Sequence, residues 1–144
     1  MKINHLYNRY YLYLALIFIF FSYILVKGGA LASKIHLTIQ GGGTQRILNE
    51  SFYKEPNQVY VNDAERSDCK KTCELPEGTN KVTLVFEDKL TTTEYMFKDL
   101  TNIIEADLSE FDASKVTLMN GMFWGCNNVQ KINFGETNTS SLKR

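Results

Sequence analysis

Clustered basic charge is the first thing this sequence lacks. Setting aside residues 1–32, whose three bases are Lys2, Arg9 and Lys27, leaves 13 bases against 16 acids. The only paired bases in that body are Lys70-Lys71 and Lys143-Arg144, too few to line a groove for a phosphate backbone, which excludes nucleic acid as a partner. Histidine is almost absent, with His36 alone after residue 32. There is no Gly-x-Ser-x-Gly elbow, no His-x-x-x-His pair, and no histidine placed beside a cysteine by any motif. Acid pairs such as Glu87-Asp88 are those of a solvated surface, and no D-x-D-x-D-G calcium loop occurs. The expectation is a protein without catalytic, cofactor or metal chemistry.

A long apolar run is also missing. Tyr10 to Val26 is uncharged but reaches 17 residues only with four tyrosines included, against the roughly 20 that a spanning helix needs. Lys2 and Arg9 precede it, and Gly28-Gly29-Ala30-Leu31-Ala32 supplies a small-x-small site. Basic flank, apolar stretch and cleavage site describe a secretory signal peptide over residues 1–32; the alternative is a signal-anchor retained in a membrane through residues 10–26. Either form exports the body, to a secreted or cell-surface location.

Export sets the chemistry of the three cysteines. In an oxidising compartment Cys69 and Cys73 are candidates for a small disulfide ring, with a zinc site using His36 or Cys126 as the competing arrangement. Asn49-Glu50-Ser51 and Asn138-Thr139-Ser140 are glycosylation sequons, so Asn49 and Asn138 are the candidate acceptors.

What is present is β-pattern. Residues 33–89 are expected to form a β-rich, cap-like domain. Ile35, Leu37 and Ile39 alternate on one strand, Gln58 to Asp63 forms a second, and Val82, Leu84 and Phe86 lie on one face of a third. Gly41-Gly42-Gly43 breaks the first strand in a sharp loop; no Lys-Ser/Thr pair follows to make it a phosphate cradle. The segment between the second and third strands, with the cysteine pair and Pro76-Glu77-Gly78, has loop chemistry.

From Leu90 the chain repeats with a period of 26. Residues 90–115 align with 116–141: Met96-Phe97 on Met122-Phe123, Asn102 on Asn128, Leu100 on Cys126, Ile103 on Val129, Ala106 on Ile132 and Leu108 on Phe134. The spacing turns one apolar row inward per coil, and each coil stabilises that row only against its neighbour. Cys126, in a leucine position, is expected to be a small buried hydrophobe. The expected fold is mainly β: a small β-rich segment followed by the start of a leucine-rich-repeat-type solenoid.

Met122-Phe123-Trp124-Gly125-Cys126-Asn127-Asn128-Val129 resembles the Met-Phe-x-x-Cys-x-x-Leu signature of BspA-like leucine-rich repeat surface proteins. Ala106 to Thr117 is similar to their Leu-Asp-Leu-Ser-x-Phe-Asp-Thr-Ser-x-Val-Thr segment. The resemblance covers residues 90–144 and implies extracellular binding or adhesion to a protein or host surface. Ala106 replaces the usual leucine, and Thr137 to Ser140 departs from the Phe-Asp step kept at Phe111-Asp112. Two units are fewer than the roughly three a stack normally needs, which suggests truncation or stacking with other repeat proteins. The candidate binding face is the variable strand positions Glu105, Asp107, Lys131 and Asn133, with Trp124 either joining it or packing on a next coil.

Overall fold

Alternation of apolar residues is what builds the first strand. The structure, a computed structural model, describes residues 32–136. All but Ala32 of the expected signal segment (residues 1–32), the anchor through 10–26 and the sequon at Asn138 lie outside the described residues. Strand β1 (Ser33–Gln40) buries Ile35, Leu37 and Ile39 and turns Lys34, His36 and Thr38 to the other face. It is followed by β2 (Gly43–Arg46), β3 (Gln58–Val61), β4 (Ala64–Glu65), β5 (Thr72–Leu75) and β6 (Thr79–Phe86). The repeat region contributes β7 (Ile103–Asp107) and β8 (Lys131–Asn133).

Six of these strands form one sheet in the order β4-β3-β6-β1-β7-β8, and β2 pairs with β5 in a second, two-stranded sheet. The protein is mainly β, with no helix among the described residues. Strand β1 is the seam: it pairs antiparallel with β6 on one side and with β7 on the other, so the sheet crosses residue 89 without a break. Strands β7 and β8 pair in parallel, Glu105 with Lys131, Ala106 with Ile132 and Asp107 with Asn133. Each partner is 26 residues on, which is the sequence period.

The β3–β4 hairpin turns through Asn62 and Asp63, both at positive φ (49° and 68°), the residue types that a two-residue type I′ loop favours. The segment expected to be loop between the second and third strands carries β4 and β5. Strand β4 is too short to show a period of two; β5 alternates exposed Thr72 and Glu74 with buried Cys73 and Leu75 over only four residues, and it is a strand because β2, nearly thirty residues earlier, pairs with it. Asn80, buried among loops, donates its side-chain amide to the carbonyls of Gly41 (3.0 Å) and Pro76 (2.9 Å) and ties the glycine loop to the turn before β6.

A single apolar cluster runs beneath the sheet, from Ile35, Leu37 and Ile39 through Leu84 and Phe86 to Met96, Phe97, Leu100, Ile103 and Leu108. Burial of this row is the dominant stabilising term, at roughly 25 cal/mol per Å² of apolar surface.

Candidate functional site

The outward face of the sheet is built by the same alternation that fills the core. Where Ile35, Leu37 and Ile39 point in, His36 and Thr38 point out; where Ala106 points in, Glu105 and Asp107 point out. Register then sets their neighbours. Thr83, His36, Asp107 and Asn133 form one row across β6, β1, β7 and β8, and Lys81, Thr38, Glu105 and Lys131 form the next. These eight side chains and Asp63 line one shallow groove of about 360 Å³.

The groove is organised by hydrogen bonds. His36 Nδ1 lies 2.9 Å from Thr83 Oγ1. Its Nε2 is 3.3 Å from Glu110 Oε1, near enough for charge attraction but without hydrogen-bond alignment. Glu110 also accepts a bond from Lys34 at 3.0 Å, and that bond is the main reason its carboxyl is held below the ordinary range. Asp107 is depressed likewise by hydrogen bonds from Ser109, with a smaller contribution from Asn133, whose amide donates to Oδ1 at 3.2 Å. Thr38 contacts Glu105 at 3.5 Å. Carboxylates and ammonium groups are thus interspersed on this face, and half-exposed Tyr60 of β3 stands beside Thr83 at its margin.

Glu105, Asp107, Lys131 and Asn133, chosen from repeat positions, all stand on this face. His36, Thr38, Lys81 and Thr83 come from the β-rich segment and were not foreseen as part of it. Only the β1–β7 pairing brings them there. Trp124 is elsewhere, 67% exposed on the turn of the second repeat.

Cys69 and Cys73 form a disulfide with Cα atoms 4.6 Å apart, which consumes the thiols a zinc site would need. Cys126 is buried; its thiol donates to the Phe97 carbonyl at 2.9 Å, and burial pushes its pKa up. Asn49 Nδ2 donates to the Lys98 carbonyl at 3.1 Å while Oδ1 accepts from the Ser51 amide, so the amide that a glycan would occupy is engaged internally. Among the described residues no three His, Cys, Asp or Glu side chains converge as a metal site would require.

The two repeats contact each other through the backbone. Amides of Thr93, Tyr95, Phe97 and Asp99 donate to carbonyls of Leu118, Asn120, Met122 and Trp124 at 2.9, 3.1, 2.8 and 2.7 Å. Thr117 and Gln130 amides return bonds to Thr91 and Ile104 at 2.9 and 2.8 Å. Phe97 stacks on Phe123 at 5.2 Å, and Asn128 donates to the Thr101 carbonyl at 2.7 Å. Asn102, one period earlier, donates to the Arg46 carbonyl at 2.9 Å. The end of β2 therefore presents to the first repeat what the first repeat presents to the second.

Residues 78–144 match the family described as "Mycoplasma protein of unknown function, DUF285". The matched range opens just before β6 and takes in both repeats. The chain matches none of the curated proteins and none of the solved structures.

Proposed function

We propose that this chain is an exported, non-catalytic binding module of leucine-rich-repeat type, similar to BspA-like surface proteins, which recognises an extracellular protein or host surface. The observation carrying this reading is the outer sheet groove. Repeat-derived Glu105, Asp107, Lys131 and Asn133 stand side by side with His36, Thr38 and Lys81. Backbone pairing at an offset of 26 residues supports the repeat part of the reading. Mixed charges fixed on a rigid sheet suit a protein partner with complementary charges, since such an array sets register and association rate more than raw affinity.

Pull-down and cell-binding comparisons between the wild type and a Glu105→Ala, Lys131→Ala double variant test it. Both residues are exposed, so the fold should be preserved while binding weakens about tenfold and its salt dependence flattens. Unchanged binding would remove this face from the proposal.

A further inference from the structure

Where β7 and β8 begin, beside the last residue of β1, the surface holds a second concavity of about 480 Å³. Its lining differs in kind from that of the outer groove. None of its eight residues is charged, although the chain carries 16 bases and 16 acids. Five are amides: Gln40, Asn102, Asn127, Asn128 and Gln130. Thr101 adds a hydroxyl, and Ile104 and Val129 supply the apolar part.

A bulge in the sheet accounts for Ile104. Thr38 pairs with Glu105 but Ile39 pairs with Ile103, so Ile104 is an extra residue with nothing opposite it. Such a bulge re-aims a side chain. Ile104 stands half-buried at the cavity beside Val129, which packs on the core.

Hydrogen bonds fix the polar part. Asn102 commits its side-chain NH₂ to the Arg46 carbonyl at 2.9 Å and to Gln45 Oε1 at 3.2 Å. Asn128, one period later, commits its own to the Thr101 carbonyl at 2.7 Å. Each keeps Oδ1 without a partner among the described residues. Gln40 is held the other way: its Oε1 accepts from the Thr79 hydroxyl at 2.7 Å, which leaves Nε2 as a donor. The side-chain amides of Asn127 and Gln130 are unpaired among the described residues and can both donate and accept. Two acceptors and one donor are thus set by the fold, with two adaptable amides beside them.

This chemistry separates the ligand classes. A phosphate or carboxylate finds no cation in the lining, and a nucleobase finds no aromatic ring to stack on. An extended peptide finds the backbone already used, since the Gln40 amide bonds the Asn102 carbonyl at 2.9 Å and the Gln130 amide bonds the Ile104 carbonyl at 2.8 Å. What fits is a neutral molecule rich in groups that both donate and accept, with C–H surface to lie on Ile104 and Val129. We propose that this cavity binds a neutral saccharide, its hydroxyls paired with Oδ1 of Asn102 and Asn128, Nε2 of Gln40 and the amides of Asn127 and Gln130.

The cavity does not require an open repeat edge. Its middle row, Thr101, Asn102 and Ile104, has β1 on one side and the second repeat on the other, yet still lines the cavity. A coil stacked in the same way on Asn127 to Gln130 leaves those residues at the cavity as well. No residue is shared with the outer groove, so the two readings fail separately.

The test is nuclear magnetic resonance of side-chain amides in the full chain, titrated to millimolar concentrations with lactose, maltose, cellobiose and chitobiose. At least one sugar should give saturable shifts at the NH₂ groups of Gln40, Asn127 and Gln130. Asn127→Ala with Gln130→Ala, both exposed and unbonded, should keep the fold and weaken binding about tenfold. The Glu105→Ala, Lys131→Ala double variant should bind the sugar as wild type does, even if it loses the protein partner of the groove. Absence of shifts with all four sugars overturns the proposal. So does binding that survives loss of Asn127 and Gln130, and so does displacement of the sugar by a blocked tetraalanine peptide at equal concentration, the behaviour of a peptide site.

Discussion

At the scale of single residues the second repeat depends on glycine where backbones meet. Gly125 has φ of 74°, a conformation that costs a side-chain-bearing residue energy, and a Cβ there would run into the Asp99 carboxylate and approach its Cα to 3.3 Å. Gly125→Ala is expected to destabilise the protein by about 1–2 kcal/mol, measured as a lower denaturant midpoint at unchanged slope. A carboxylate sets the acid limit. Asp112 is bonded by Lys89 and by Ser114, and its pKa falls to about 2. A depressed carboxyl contributes stability above its unfolded pKa and loses it as pH falls through the folded value. Stability should therefore drop between about pH 4 and pH 2, and Asp112→Asn should remove that part of the slope. Because this ion pair is about a third exposed, its contribution is about 1 kcal/mol rather than the full shift.

At the scale of elements, short strands survive through long-range pairing. Strand β5 has four residues and, among the described residues, only β2 as a paired neighbour, so the disulfide at its start restricts the unfolded chain where local pairing is weakest. Replacing both cysteines by serine should cost about 2 kcal/mol by the loop-entropy relation, and exchange should quicken first at residues 43–46 and 72–75. Strand β1 differs, being paired on both edges with three apolar side chains and Ser33 buried. It seals the first repeat, where Leu108 is fully buried while its counterpart Phe134 is 44% exposed.

At the scale of the whole molecule, one sheet and one apolar cluster join the β-rich segment to the repeats. Unfolding should accordingly be a single transition, with far-ultraviolet circular dichroism and amide exchange in β6 and β7 coinciding. A fragment of residues 90–144 should lack cooperative structure, because Ala106 and Ile103 would lose their cover by β1; a folded fragment would show that the repeats need no cap. Exposed groove residues such as Glu105 and Lys131 should scarcely alter this transition, which separates a change in recognition from a change in folding.

The period of 26, the inward apolar row and the alternation of β1, β3 and β6 were legible because each is a local pattern, enforced wherever a side chain must choose between core and water. Cys126 could be placed in the interior for the same reason. Strand β4, two residues closing a hairpin on β3, and strand β5, paired with β2 nearly thirty residues earlier, were not legible, since pairing and not length or periodicity defines them. Half of the groove was hidden in the same way. Sequence determined that Glu105, Asp107, Lys131 and Asn133 share a face, because residues two apart on a strand and one period apart in a repeat must do so. Tertiary structure decided that His36, Thr38 and Lys81 complete it. Backbone hydrogen bonding between β1 and β7 joins segments more than sixty residues apart, and no local pattern encodes that choice of neighbour.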